Sequence, residues 1–383
     1  MNDRLATTWG EIGELFDGPH ATPKRMSDGP YFLNISSLNA GRLDLSQSDH
    51  VSEEDFAKWT RRVTPQPLDL LFSYETRLGE AALMPDELKA CLGRRMALLR
   101  PNRQIVDPRF LLYFYLSPAF QRTLQKHTIH GATVPRILLS TMGSWPIELP
   151  SLGEQQAIAE VLGALDDKIA ANTKFSETLL ELTGARYEES LGASTIACTL
   201  DDVSTFHNRR RVPLSAQERD LRIGNIPYYG ATGVFGFVDE FLFDEILLLV
   251  GEDGSVVNDD GSPVTQYIWG PSWVNNHAHV LTGKSITTEL LYFAVRRTNV
   301  TSLVTGAVQP KISMGNLKRL ELQIPGEDRR NQLEGELSNS MALCRSLSSE
   351  NRTLAATRDA LLPQLTSGKL RVKDAEALVA SAV

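Results

Sequence analysis

Leu333-Glu334-Gly335-Glu336-Leu337-Ser338-Asn339-Ser340 opens a ladder that continues through Cys344, Leu347, Asn351, Leu354, Arg358, Leu361 and Leu365. From Leu333 onward its rungs, Ser340 included, are spaced alternately four and three residues apart. A seam of that period, flanked by charges, predicts a long helix that pairs with another helix. Moved back by 175 positions, the ladder falls on Ile158, Leu162, Leu165, Ile169, Asn172, Ser176, Leu179, Thr183, Arg186 and Ser190. Two helices of about 35–40 residues are expected, each roughly 55–60 Å long at 1.5 Å per residue. Their polar outer faces favour a paired coiled coil over a helix enclosed in a globular core. Asparagine enters the seam of both copies, at Asn172 and Asn351, where it costs stability and fixes register.

Working outward from the ladder, the repeat extends into what precedes each helix. At the same 175-residue shift Gly131-Ala132 falls on Gly306-Ala307, Pro135-Arg136-Ile137 on Pro310-Lys311-Ile312, and Trp145, Ile147, Leu149 and Pro150 on Leu320, Leu322, Ile324 and Pro325. Each copy reads as a loop, an alternating strand and a closing proline. Earlier in the copies, Leu71-Phe72-Ser73-Tyr74-Glu75 matches Leu248-Leu249-Val250-Gly251-Glu252 at 177, and Trp9-Gly10-Glu11-Ile12 matches Leu200-Asp201-Asp202-Val203 at 191. The second copy is thus shorter by about sixteen residues, lost early. The expected fold class is α+β: two similar mixed α/β domains separated by two long antiparallel coiled-coil helices, with a pseudo-twofold internal repeat. The expected boundaries are 1–150, 151–192, 193–325 and 326–383. Diverged interiors between matched ends suggest one fold serving two targets, and a rigid spacer between them suits two half-sites at a fixed distance.

The 383 residues are 42% apolar and 22% charged, an ordinary globular balance. The longest aliphatic run, Ile246-Leu247-Leu248-Leu249-Val250, is far shorter than a membrane span, and the N-terminus lacks a secretory pattern. Three scattered cysteines (Cys91, Cys198, Cys344) argue against a disulfide framework or a four-thiolate zinc site and fit the reducing cytoplasm. The net charge of −8 argues against a uniformly basic nucleic-acid binder. Five of those eight excess charges lie in 151–192, which carries 3 basic and 8 acidic residues. DNA binding is not excluded, but any basic surface must be local or supplied by a partner.

The local candidates are Lys24-Arg25, Arg61-Arg62, Tyr74, Arg77, Arg94-Arg95, Lys126, His127, His130 and Arg136 in the first domain. In the second they are Arg209-Arg210-Arg211, Tyr228-Tyr229-Gly230 with Thr232, Asn275-Asn276-His277, Gln309 and Lys311. Arginine reads guanine and Asn or Gln reads adenine through paired hydrogen bonds, while Lys, Ser and Thr hold phosphates. Catalytic patterns are weak by comparison. Asn225-Ile226-Pro227-Tyr228 resembles the Asn-Pro-Pro-Tyr motif of amino-methyltransferases but lacks one proline and a Gly-rich cofactor loop. Pro85-Asp86-Glu87-Leu88-Lys89 reads as a turn, not a nuclease metal site, and His277-x-His279 lacks a third metal ligand. Glu252-Asp253 and Asp259-Asp260 read as turn-capping or base-contacting carboxylates. No P-loop, dinucleotide fingerprint or nucleophile elbow is present.

These features together resemble a known family. Leu149-Pro150-Ser151-Leu152-Gly153-Glu154-Gln155-Gln156-Ala157-Ile158 is similar to the opening of the central spacer helix in specificity subunits of type I restriction–modification systems. Leu361 to Val372 resembles the end of their distal helix. Phe72 to Glu80 and Thr305 to Ile312 resemble segments of their target-recognition domains. The resemblance implies a subunit without catalytic activity or cofactor of its own. Each recognition domain would read half of a bipartite site on double-stranded DNA. The helices would set the gap and dock two methyltransferase subunits, which use S-adenosylmethionine. Motor-nuclease subunits using ATP and Mg2+ are a further implied partner, and no membrane is implied. The docking helices would include Ile158, Leu162, Leu165, Ile169, Asn172, Leu179, Leu333, Leu337, Leu347, Asn351, Leu354 and Leu361. The second copy departs at Pro325-Gly326-Glu327-Asp328-Arg329-Arg330-Asn331-Gln332, where the Glu-Gln signature is blurred. A divergent DNA adenine methyltransferase and a coiled-coil protein scaffold are the alternatives.

Overall fold

The computed structural model describes residues 4–130, 134–192, 194–306 and 308–380. Met1 to Asp3, and Gly131-Ala132 and Ala307 of the repeat, lie outside the described residues. By contacts the chain forms two units, 1–172 with 350–383, and 173–349. The split passes through both long helices, Leu152–Ser190 and Glu327–Thr366, so each unit holds one head and part of each helix. The helices contain 39 and 40 residues.

Each head is built in layers. In the first unit an antiparallel sheet has the order Gly13–Asp17, Met96–Pro101, Leu70–Ser73, Ala81–Leu83. A mixed sheet, with Met26–Leu33 parallel to Ala90–Leu92, covers one face. The helices Pro108–Leu116 and Pro118–His127 and the two long helices cover the other. Leu70 and Phe72 face the helical layer, and Leu71 faces the mixed sheet, so the strand is apolar on both sides. The second unit repeats this with Ser204–Phe206, Ala278–Gly283, Leu247–Gly251 and Thr265–Ile268, and with Ile226–Tyr229 parallel to Pro271–Val274. Its helical face carries Thr288–Arg297, capped by Thr287.

The registers test the repeat directly. The first strand pairs with the last before each helix: Leu5 opposite Leu149, and Ile196 opposite Ile324. Shifts of 191 and 175 map one pair onto the other. The shift of 177 does not hold: Tyr74 O accepts from Ile137 N as Glu252 O accepts from Ile312 N, which makes the shift 178. Leu70 is therefore the counterpart of Leu248, and Phe72 of Val250. A one-residue slip exchanges the faces of a strand, but in a strand buried on both faces the apolar pattern does not register it.

A second correction lies in the helices. Gln155 Oε1 accepts from Asp107 N at 2.9 Å, and Glu334 Oε1 accepts from Thr287 N at 2.8 Å, each at the N-cap of a head helix. The shift inside the helices is thus 179, one helical turn more than 175. Four residues turn a helix face by only about 40° beyond a full revolution, so the ladder cannot tell the two alignments apart. At this shift Glu154-Gln155-Gln156 falls on Leu333-Glu334-Gly335, so the signature itself is absent from the second copy and only the cap contact of the buried Gln155 is kept, by Glu334. At this shift Asn172 and Asn351 are counterparts, and Asn172 Nδ2 donates to Asn351 Oδ1 at 2.9 Å.

Within the first unit the helices run antiparallel, with Arg358–Asp166 at 2.6 Å and Lys168–Glu350 at 3.5 Å. In the second, Cys344 Sγ lies 3.8 Å from Ser176 O. Ile158, Leu162, Leu165, Leu333, Leu337, Leu354 and Leu361 are buried and pack into the head cores, not only against the opposite helix. Ile169, Leu179 and Leu347 are half-buried. Arg186 is exposed and leaves the predicted seam, its place taken by buried Tyr187, whose hydroxyl donates to Gln323 O. Among the described residues no helix is long and apolar enough to cross a membrane.

Candidate nucleic-acid interface

The polar face of each head is organised where the central strand of the antiparallel sheet exits into a loop. In the first unit that exit is Tyr74-Glu75-Thr76, against the loop Gly93-Arg94-Arg95 and the short strand Pro135–Arg136. Glu75 and Arg136 form a β-bridge, Thr76 N donates to Pro135 O, and Tyr74 N to Arg95 O. In the second unit Asp253 and Lys311 form the bridge, Gly254 N donates to Pro310 O, and Glu252 N to His277 O. The backbone is the same and the side chains differ. Glu75 pairs with Arg95 at 3.3 Å, and its counterpart Asp253 with His277 at 2.5 Å.

The shared turn requires positive φ, which glycine supplies freely: Gly254 has φ 82° and its counterpart Thr76 φ 69°. A β-branched residue there is strained. Gly306 (φ 87°) closes the neighbouring turn, where an added Cβ would lie 2.5 Å from Gln309 O.

Beside the first unit's loop runs a groove lined by Arg25, Asn34, Ser46, Gln47, Arg94 and Arg95 among others. Three of these were expected from sequence. Asn34, Ser46 and Gln47 were not, because a scattered polar residue carries no signal until the fold brings it beside an arginine. Lys24 is exposed nearby in sequence, and Arg25 meets Asp49 at 3.2 Å. Arg77 is tied to Ile35 O and Glu80, Arg62 to Asp17, and His127 stacks on Trp145. Arg61, Lys126, His130 and Arg136 are exposed.

The second unit's cluster centres on Glu252. It binds Arg211 at 2.6 Å and Lys311 at 3.3 Å. Burial opposes its ionisation, but the Arg211 hydrogen bond and neighbouring positive charge prevail and hold its carboxyl below the usual range. His279 is fully buried, with Nε2 at 2.8 Å from Ile312 O and Nδ1 at 2.8 Å from Asn208 Nδ2. Those partners require a neutral ring with the proton on Nε2, and burial lowers its pKa. His279 is thus a core histidine, not half of a metal site, and no group of three or more His, Cys, Asp or Glu among the described residues could hold a metal. Arg209, Asn276, His277, Gln309 and Lys311 are exposed, as is Thr232 on the hairpin whose Tyr229 carbonyl accepts from Asn275 N.

Five expected contact residues are engaged within the fold. Tyr74 is 5% exposed and donates to Arg94 O, and burial pushes its hydroxyl up to about 12. Tyr228 is 1% exposed, and its hydroxyl accepts from Leu214 N at 3.0 Å. Asn275 is buried, its Oδ1 accepting from His277 N. Arg211 is consumed by Glu252 and the carbonyls of Asn208 and Ala278, while Arg210 meets Glu245 and lies over Phe243.

The sequence model of the type I restriction modification DNA specificity domain matches residues 30–181 and 197–332. A Haemophilus influenzae protein assigned as a type I restriction enzyme specificity subunit is 30% identical over 156 residues, 40% of this chain and 37% of its own. The EcoBI specificity subunit of Escherichia coli is 24% identical over 147 residues, 38% of this chain and 31% of its own. These alignments span about a third of each relative's length. In fold the chain is similar to the crystal structure of a type I restriction–modification S subunit from M. genitalium, with a TM-score of 0.56 and 18% identity, covering 95% of this chain and 96% of that one.

Proposed function

The chain belongs to the family of type I restriction modification DNA specificity domains, and on that premise we propose that it is the DNA-recognition subunit of a type I restriction–modification complex. Residues 1–150 and 193–325 each read one half of a bipartite duplex site. The helical segments 151–192 and 326–383 set the gap and dock two methyltransferase subunits. The chain itself has no catalytic role: adenine methylation with S-adenosylmethionine belongs to those subunits, and ATP- and Mg2+-driven cleavage to motor-nuclease subunits. It works in the cytoplasm beside the chromosome.

One observation carries this reading. The same loop cluster is built twice on the same backbone, with Glu75, Arg95 and Arg136 in one unit and Asp253, His277 and Lys311 in the other. Two equal frames with unequal polar side chains suit two unequal half-sites. The net charge of −8 fits a reader whose basic surface is confined to these loops. The test is co-expression with the methyltransferase subunit in a host without DNA methylation, followed by sequencing of modified bases. A two-part motif with a fixed gap, methylated on both strands, is expected. A stable complex that leaves the genome unmodified would favour a protein scaffold.

A further inference from the structure

The two loop clusters differ most usefully at one pair of positions. Main-chain bonds make Gly93 the counterpart of Asn275, since their N–H groups donate to Leu33 O and Tyr229 O on equivalent strands. Arg94 is then the counterpart of Asn276, and Arg95 of His277. In both units the backbone at the middle position is pinned from the core. Arg94 O accepts from the buried Tyr74 hydroxyl at 2.9 Å, and Asn276 O accepts from Arg211 at 3.3 Å. The following residue is held by a carboxylate, Arg95 by Glu75 and His277 by Asp253. The middle side chains, by contrast, are exposed and enter no hydrogen bond or ion pair among the described residues. Fixed backbone with an uncommitted, hydrogen-bonding side chain is the arrangement base readout needs, because no internal bond must break on binding.

We propose that Arg94 and Asn276 are the equivalent base-reading residues of the two units, Arg94 selecting guanine and Asn276 adenine. The assignment follows from their chemistry: guanidinium donates two bonds to guanine O6 and N7, and a carboxamide both accepts from and donates to adenine N6 and N7. Arg95 and His277 are positioning residues, and the core bonds to the two carbonyls aim the readers. This inference rests on the DNA-reading role proposed above and adds which residue reads and which purine it takes.

The test uses the complex of the full chain with its methyltransferase subunits, first defining the wild-type motif by sequencing modified bases. Arg94→Ala and Asn276→Ala complexes are then compared with wild type on duplexes carrying each base at every motif position. Arg94→Ala is expected to lose roughly 10- to 100-fold of discrimination at one guanine in one half-site. Asn276→Ala is expected to lose as much at one adenine in the other, and Arg94→Lys to retain part of the guanine preference. Equal complex yield and unchanged circular dichroism certify folding. A wild-type motif that survives both alanine variants with unchanged discrimination overturns the inference while the DNA-reading role stands. Loss of affinity at all sequences alike also overturns it, since that is the signature of phosphate contacts. A wild-type complex with no motif overturns both.

Discussion

The pair Asn172–Asn351 gives the sharpest test of how the helices are held. Asn172 is 6% exposed and donates to Asn351 Oδ1 at 2.9 Å, whereas Asn351 is half-buried. Asn351→Leu takes this acceptor from a side chain that water barely reaches, and an unsatisfied buried amide costs about 1–3 kcal/mol. Asn172→Leu leaves a polar partner that water can reach, so its cost falls near the lower end, about 1 kcal/mol. Replacing both removes the polar pair and adds apolar seam, where burying a leucine is worth about 1.5–3 kcal/mol. The double variant should therefore be at least as stable as wild type, with a coupling of about 2 kcal/mol or more between the sites. Urea denaturation followed by helix circular dichroism, with hydrogen exchange at Leu354 and Leu162 locating the transition, measures all four corners of the cycle. Additive costs would refute the account. The stabilised double variant should also hold its register less tightly, since the asparagine pair favours a single alignment: spin labels on exposed helix positions should give one distance in wild type and a broadened distribution without the pair.

Gln155→Ala removes a buried amide that accepts from Asp107 N and donates to the carbonyls of Pro150 and Ile105; a loss of about 2–3 kcal/mol is expected in the first unit's urea midpoint. Thr76→Gly should stabilise the first unit by about 1 kcal/mol by relieving a β-branched residue at positive φ, read as a raised midpoint; Gly254→Thr should cost the second unit a similar amount. The second unit should also lose stability on mild acidification. Burial lowers the folded pKa of both His279 and His207 below the ordinary 6.5. Between the lowered and the ordinary value the unfolded chain binds protons that the folded chain does not, so their contribution is complete above about pH 7 and falls as pH drops through that window. Glu252, whose folded pKa is lowered from 4.5, acts in the same direction only at still lower pH. Hydrogen exchange at Val250 and Leu281, compared at pH 7.5 and 5.5 after correction for intrinsic rates, should show this loss, and equal protection at both would refute it.

What the sequence could and could not disclose follows from which physical signals are periodic. The long helices are legible because a seam must recur every three or four residues, and the repeat is legible because both copies close on the same strand and proline. The alignment inside the copies is not, for a reason that differs by element. In the strand Leu70–Ser73 both faces are buried, so hydrophobicity is flat and a one-residue slip leaves it unchanged. In the helix the slip is one turn, which returns nearly the same face. Only hydrogen bonds that cross between elements, such as those at Gln155 and Glu334, resolve either case.

The site divides in the same way. Charged and polar runs pointed to loops that the fold brings together, since Arg94-Arg95, Arg136, Asn276-His277 and Lys311 converge on equivalent exits. Sequence could not assign roles within a run, because neighbours there have opposite fates. Arg209 is exposed, while Arg211, two residues on across a turn of 3-10 helix spanning Asn208–Arg210, is drawn inward by Glu252. A run of three arginines thus supplies both a solvent-facing cation and the internal brace that fixes Asn276 O. On the proposed readout, that brace would let Arg211 act in recognition without contact: Arg211→Met should leave the bases that the second unit prefers unchanged yet weaken discrimination at the position assigned to Asn276, because the reader would lose its fixed carbonyl and not its carboxamide. Discrimination at the guanine assigned to Arg94 should be unaffected, its carbonyl being held by Tyr74 instead. A uniform loss across both half-sites would show that Arg211 supports folding alone.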